Sequence, residues 1–197
     1  SEVRLKLSGK IRCFIAFDIE DTVILDKILE VQNLLASEFR GLKIVKPENI
    51  HITLRFLGEI PPVMVDSVIK MMDKIDFEPF NVKISGVGAF PNPRRPSVIW
   101  AGIDEGVKEL KQIFKQIESG LMELGFKPEP KGFSPHLTIA RVRRGFNRRM
   151  LTPKLLELSN VEFGEFQAES LRLKKSVLTP KGPIYSTLHE VKAKSSI

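Results

Sequence analysis

Two short words carry the chemistry that this sequence can do: His51-Ile52-Thr53-Leu54 and His136-Leu137-Thr138-Ile139. They hold two of the three histidines in the chain. A single His-x-Thr is worth little, since average residue usage supplies about 0.3 per chain of this length by chance. Two copies at matching places in similar halves are far less accidental. Strand side chains alternate, so His51 and Thr53 share one face while Ile52 and Leu54 take the other, and His136 and Thr138 do the same beside Leu137 and Ile139. Each word therefore offers an imidazole and a hydroxyl on one face and an apolar anchor on the other. If the halves face one another, two imidazoles and two hydroxyls meet in a cleft.

That set suits in-line displacement at phosphorus. The reaction needs a base on the nucleophile's side and an acid at the leaving oxygen, and an imidazole pKa near 6.5 lets one histidine be neutral while the other is charged. Thr53 and Thr138 are placed to donate to the non-bridging oxygens as charge builds on them. His189 has no hydroxyl two residues later and reads as structural. No His-Glu-x-x-His, His-x-His or Cys-x-x-Cys occurs, so no metal site is expected. Gly86-Val87-Gly88 lacks the remainder of a dinucleotide fingerprint and no Gly-Lys-Ser/Thr closes a phosphate loop, so no cofactor is expected either. Cys13, in an apolar run with no adjacent base, reads as an inert thiol.

The elements that must position these words can be read from periodicity. Arg12 to Ile19 is a run of strand formers, and from Asp21 the apolar residues Val23, Ile24, Ile28, Val31, Leu34 and Leu35 fall near helical spacing. Gly41 reads as the helix stop and Pro47-Glu48-Asn49 as a turn into a strand, Ile50 to Leu57, closed by Gly58. A helix is expected near Pro62 to Ile75 and an extended segment from Phe80 to Phe90. After Pro91-Asn92-Pro93 the order repeats: strand Ser97 to Ile103, helix Glu105 to Leu124, a turn around Pro128 to Gly132, and a strand from Pro135. Ile15, Ile19, Asp21 and Lys27 fall on Ile99, Ile103, Glu105 and Lys111 at a shift of 84; the shift drifts to 85 at the two histidines and to 86 where Phe80-Asn81 falls on Phe166-Gln167. The expected fold is α+β, bilobal and duplicated, with two antiparallel β-sheets facing a central cleft and helices outside. The whole chain, 1–197, is read as one such domain, with pseudo-repeats near 11–90 and 97–178 and a last strand near 184–193.

Composition narrows the setting. With 31 Lys+Arg against 24 Asp+Glu the 197-residue chain carries a formal charge of +7, and 42% hydrophobic residues with 13 Phe supply a packed core. One cysteine and no leader-like start point to a cytoplasmic protein, and apolar runs such as Val98 to Ala101 are too short to cross a bilayer, so no membrane is expected. Arg94, Arg95, Arg141, Arg143, Arg144, Arg148 and Arg149 cluster in two stretches, a pattern that suits a phosphate-bearing partner.

Taken with Arg12-Cys13-Phe14-Ile15-Ala16, the words as they continue, His51-Ile52-Thr53-Leu54-Arg55-Phe56-Leu57-Gly58 and Pro135-His136-Leu137-Thr138-Ile139-Ala140-Arg141, resemble the two-histidine (2H) phosphoesterases. Within these they are similar to the RNA 2',3'-cyclic phosphodiesterases first named 2'-5' RNA ligases, of archaeal or bacterial type. The resemblance runs from Ile11 to about Val191. It implies metal-free hydrolysis of an RNA 2',3'-cyclic phosphate to a 2'-phosphate, with His51 as proton donor and His136 as proton acceptor, roles that sequence symmetry alone does not separate. It also implies reversible 2'-5' ligation when an RNA 5'-hydroxyl replaces water. RNA bearing a cyclic phosphate end, with tRNA fragments one candidate, is the implied partner, and no obligate protein partner is expected, so the chain reads as a monomer. Ser1 to Lys10 precede the Arg-x-Phe start of the resemblance. Three further residues are assigned to substrate binding. Arg141 contacts phosphate or base by the resemblance, although simple alternation puts it on the face opposite His136 unless the strand ends or bulges. Arg55 shares parity with His51 and lines the cleft. Phe14 stacks on a base, with core packing as the alternative. Two other readings remain open on the sequence: the same residues acting on a small cyclic nucleotide or a 2'-5' oligoadenylate, and a nucleotide- or RNA-binding module without turnover.

Overall fold

The computed structural model describes residues 9–195. Of the segment Ser1 to Lys10, all but Gly9 and Lys10 lies outside the described residues. The strands are β1 (Ile11–Asp18), β2 (Leu42–Ile44), β3 (His51–Ile60), β4 (Phe80–Phe90), β5 (Val98–Glu105), β6 (Leu137–Val142), β7 (Glu162–Ala168), β8 (Ser170–Thr179) and β9 (Gly182–Lys192). The helices are α1 (Thr22–Glu38), α2 (Pro62–Met72), α3 (Val107–Glu123) and α4 (Thr152–Glu157).

Local sequence explains where each helix forms. The Asp21 carboxylate caps α1 by accepting from the Ile24 amide at 3.0 Å, and Ile24, Ile28, Val31 and Leu35 make its buried stripe. Pro61 and Pro62 open α2, where a missing N–H costs nothing. In α3, Leu110, Ile113, Ile117 and Leu121 face inward, following Gly106 at φ 99°. Against the sequence reading, α1 ends three residues before Gly41, because Phe39 leaves helical geometry to bury its ring. Gly41 serves a different need: a Cβ there would lie 2.5 Å from the Phe146 ring.

The strands run in the order β7-β4-β5-β6-β3-β1-β8-β9, with β2 also on β6, and every pairing is antiparallel. The sheet is two lobes joined at one seam. There β3 and β6 share the single pair Ile52↔Leu137 and then part, β6 continuing beside β2 and β3 beside β1. The two expected sheets are thus one curled surface with a thin hinge line. The halves of the chain exchange strands: β4 joins β5 and β2 lies on β6, whereas β8 pairs with β1 and carries β9 beside it. Phe166-Gln167, matched to Phe80-Asn81 by the sequence shift, lies beside that segment in the ladder, with Asn81↔Gln167 and Val82↔Phe166 paired directly.

Helices cover one face of the sheet. Helix α1 packs on β6 and β7, α3 on β3 and β5, α2 on α3, and α4 on β4. The core between them takes Ile15, Phe17, Ile52, Ile99, Ala101 and Leu137, all at or near zero exposure. The opposite face is left for chemistry.

Candidate active site

The seam sets the site. Ile52 and Leu137 point into the core, so the residues flanking them on each strand point the other way. Antiparallel register about that pair puts His51 level with Thr138 and Thr53 level with His136. The two imidazoles then sit on a diagonal, about 8 Å apart at Cα from strand rise and spacing. Both rings are half-buried, and the charge of His136 reaches His51. The structure therefore brings together all four residues of the two words.

Each imidazole is held in the same way. Nδ1 of His51 lies 2.7 Å from the Asn49 carbonyl oxygen, and Nδ1 of His136 lies 2.8 Å from that of Ser134. A carbonyl only accepts, so Nδ1 carries the proton and Nε2 is left to exchange one. Asn49 is itself fixed, its amide donating to Pro183 O at 3.0 Å on β9. Burial pushes the pKa of both histidines below the usual value, opposed in each by the carbonyl bond. The remaining surroundings differ between them. Asp18, opposite His51 across the β1–β3 ladder, favours its charged form and Lys174 partly counters that, whereas Arg141 disfavours charge on His136. Asp18 accepts from Lys174 Nζ at 2.7 Å and from Arg172 Nη1 at 2.8 Å; Lys174 also donates to Thr187 at 3.0 Å.

Two bulges decide which later residues reach this face. In β3, Thr53 pairs with Ala16 and Arg55 with Ile15, leaving Leu54 as the extra residue; in β6, Thr138 pairs with Trp100 and Ala140 with Ile99, leaving Ile139. Each bulge reverses the parity of the residues after it. Arg141 pairs with Val98 and so returns to the face of Thr138 and Trp100, which resolves the alternation problem in its favour. The Ile139 bulge is secured by Gln32, whose amide donates to the carbonyl oxygens of Val45 and Ile139 at 2.9 Å each.

Arg55 is turned the other way by the Leu54 bulge, contrary to its assignment to the cleft. Its guanidinium is buried, binding Glu118 at 2.6 Å and the carbonyl oxygens of Phe56 and Lys127 at 2.6 Å each. Phe14 does lie on the histidine face, but at 2% exposure it is a floor and leaves no ring surface for a base. Its ring centroid is 4.8 Å from that of His51, 5.0 Å from Tyr185 and 5.8 Å from Phe56. On the other lobe Phe90 packs edge-on to His136 at 4.9 Å.

Asn49, Gln32, Asp18, Lys174, Tyr185 and Phe56 were not assigned to the site from the sequence. For Phe56 a signal existed, since the shift of 85 that maps His51 onto His136 maps Phe56 onto Arg141. His189 sits away from the seam, bound to Asp73 at 2.6 Å. Cys13 is buried, and desolvation raises its thiol to about 11, as suits an inert core residue. Among the described residues no group of three His, Cys, Asp or Glu side chains is arranged to hold a metal ion.

The arginine-rich segments also converge. Arg148 donates to Ser97 Oγ at 2.7 Å, Thr152 Oγ1 to Pro93 O at 2.7 Å, and the Arg143 amide to Gly41 O at 2.7 Å. These bonds gather Arg40, Arg94, Arg95, Arg143, Arg144 and Arg149, all exposed, at the outer end of β5 and β6.

Comparison with known proteins agrees with this geometry. The family model described as LigT like Phosphoesterase matches residues 19–100 and 102–185, each span carrying one His-x-Thr word. The chain is 41% identical over 170 residues to an RNA 2',3'-cyclic phosphodiesterase of Aeropyrum pernix, covering 86% of this chain and 97% of that one. It is 40% identical over 178 residues to the Archaeoglobus fulgidus protein of the same name, covering 90% and 97%. Among solved structures, one from Thermus thermophilus superposes with a TM-score of 0.80 at 28% identity, covering 95% of this chain and 100% of that one. Escherichia coli LigT complexed with 3'-AMP shares the fold, with a TM-score of 0.75 at 20% identity, covering 93% and 98%. The chain belongs to the LigT-like phosphoesterases of the two-histidine superfamily.

Proposed function

We propose that this chain is an RNA 2',3'-cyclic phosphodiesterase, opening a terminal cyclic phosphate to a 2'-phosphate by acid–base catalysis between His51 and His136. The observation that carries the reading is the pair of imidazoles facing one another across the Ile52–Leu137 seam, each with Nδ1 on a carbonyl and Nε2 free. Neutral His136 takes a proton from water through Nε2 as the water oxygen bonds to phosphorus. His51, protonated, gives its Nε2 proton to O3' as the P–O3' bond breaks. Each turnover thus leaves His136 charged and His51 neutral, and solvent resets the pair. Asp18 near His51 and Arg141 near His136 bias the two in these directions. Thr53 and Thr138 donate to the non-bridging oxygens, and Arg141 adds positive charge where negative charge grows.

An RNA 5'-hydroxyl in place of water would run the same steps toward a 2'-5' linkage. The gathered arginines favour RNA over a small cyclic nucleotide, because a patch at the outer end of β6 lies beyond the reach of a mononucleotide held between the histidines. We take the working form to be a cytoplasmic monomer. The test is incubation of a short RNA ending in a 2',3'-cyclic phosphate in EDTA. A product resistant to a 3'-phosphate-specific phosphatase and sensitive to a general one supports the reading. Bound RNA with no product supports the binding module instead.

A further inference from the structure

The cations of the cleft do not stop at Arg141. Lys43 stands directly opposite it in the β2–β6 ladder, so the two side chains leave the sheet on the same face, and both are exposed. Past the pair Leu42↔Val142 the ladder runs on to a bond from the Arg143 amide to the Gly41 carbonyl oxygen at 2.7 Å. Against that rung rests the ring of Phe146. A Cβ on Gly41 would lie 2.5 Å from it, so the glycine is what lets the ring settle on the backbone. Phe39, itself buried, backs the ring edge-on with centroids 5.7 Å apart. The rest of the ring is open, since Phe146 is 43% exposed. Exposed arginines adjoin it: Arg40 beside Gly41, Arg143 and Arg144 before it in the loop, and Arg149 after it. Among the described residues the arginines that form ion pairs are Arg55 and Arg172, so these four keep their charge for a partner. Glu38, two residues before Arg40, is bound instead by Lys154 at 3.3 Å.

We infer that Phe146 is a second nucleotide subsite, on which a base of the RNA strand carrying the cyclic phosphate stacks at a position upstream of its terminal nucleotide. The inference rests on the phosphodiesterase reading and adds to it a site that measures strand length. A supported, half-uncovered aromatic ring set among unpaired cations is the combination that holds single-stranded RNA, the arginines following the phosphates and the ring taking a base whatever its identity. The Gly41–Arg143 rung lies about 15 Å beyond Thr138 by strand rise, so the terminal nucleotide held between the histidines does not reach it. Lys43 and Arg141 bridge the interval with positive charge. The loop thereby turns a general attraction for phosphate into a preference for a strand of several nucleotides.

The test compares KM for adenosine 2',3'-cyclic phosphate, for an adenosine pentamer with the same end, and for that pentamer with its four upstream nucleotides lacking bases. Wild-type enzyme is expected to favour the intact pentamer over the abasic one by about tenfold, the scale of one stacked base. Phe146→Leu, which keeps an apolar contact for Phe39, should collapse that preference, and Phe146→Tyr should keep it. Phe146→Leu retaining the preference would overturn the inference, as would KM raised in equal measure for all three substrates, which marks a structural role. Wild-type enzyme that does not tell the two pentamers apart would overturn it too, leaving the loop a purely electrostatic contact. Wild-type protein that turns over none of the substrates sinks the phosphodiesterase reading instead. The subsite is then read from quenching of the new indole in Phe146→Trp by the pentamer bearing a 2'-phosphate end, with wild-type protein correcting for Trp100. Quenching by the intact pentamer and not by the abasic one supports the subsite, and no quenching refutes it.

Discussion

Replacing Arg55 separates what the fold does with this residue from what strand alternation alone assigns to it. In Arg55→Met the Glu118 carboxylate stays in a site where its side chain is 15% exposed, with the Glu129 amide at 2.9 Å as its remaining donor, and the carbonyl oxygens of Phe56 and Lys127 lose theirs. Removing one partner of a buried, hydrogen-bonded pair costs about 3–5 kcal/mol. For a chain of this size each kcal/mol moves the midpoint by about 2–4 °C, so the melting temperature should fall by about 6–20 °C. The double variant Arg55→Met/Glu118→Leu, which removes both charges, should recover most of that loss. The assay is thermal unfolding by circular dichroism, beside cyclic phosphate turnover measured well below the midpoint. Turnover should change little, because the guanidinium faces away from the histidines. A melting temperature within about 2 °C of wild type combined with a raised KM would refute the reasoning and return Arg55 to the cleft.

Other perturbations probe other parts of the site. Gln32→Leu strips the side-chain donor from the Val45 carbonyl and leaves the Ile139 carbonyl with only the Val45 amide at 3.0 Å, which should cost about 1–3 kcal/mol in urea unfolding; because Arg141 depends on that bulge, activity should fall with it although Gln32 lies on a helix behind the sheet. RNA affinity should weaken with salt. Arg143→Ala/Arg144→Ala/Arg149→Ala should flatten the plot of log K against log salt by about 2 for single-stranded RNA, measured by fluorescence anisotropy; an unchanged slope would remove the basic edge from the interface. Both histidines have folded pKa values below 6.5, so between the folded value and 6.5 the unfolded chain binds more protons and stability falls as pH falls. His51→Gln should lessen that acid loss in denaturant titrations at several pH values, and an unaltered pH dependence would contradict the burial of the ring.

Much of the site was legible because period-two alternation, read from His51-x-Thr53 and His136-x-Thr138, is a local property of strands. The same rule placed Arg55 wrongly and left Arg141 in question, for one reason: a bulge adds a residue to one strand only, and its position depends on the facing strand. Leu54 and Ile139 look like ordinary strand residues. Gly58, expected to close its strand, instead lets β3 pass at φ 72° beside another register shift, something only the β1 partner reveals. The short β2 and α4 carry too few residues to show a period. Phe14 was placed on the correct face, but its burial is set by Phe56 and Tyr185, and Tyr185 lies at the far end of the chain. The crossing of β4, β8 and β9 between lobes is likewise a long-range choice that neither periodicity nor the repeat encodes.

The division of labour between His51 and His136 is the central claim, and the pH dependence of kcat/KM on a cyclic-phosphate RNA tests it most directly. Wild-type enzyme should give a bell, rising as the base loses its proton and falling as the acid loses its own. Each alanine variant should run slower by about 10² to 10⁴. The expected result is that His136→Ala abolishes the acidic limb and His51→Ala the alkaline limb. Interchanged limbs would reverse the roles, and a bell that survives both substitutions would contradict the account.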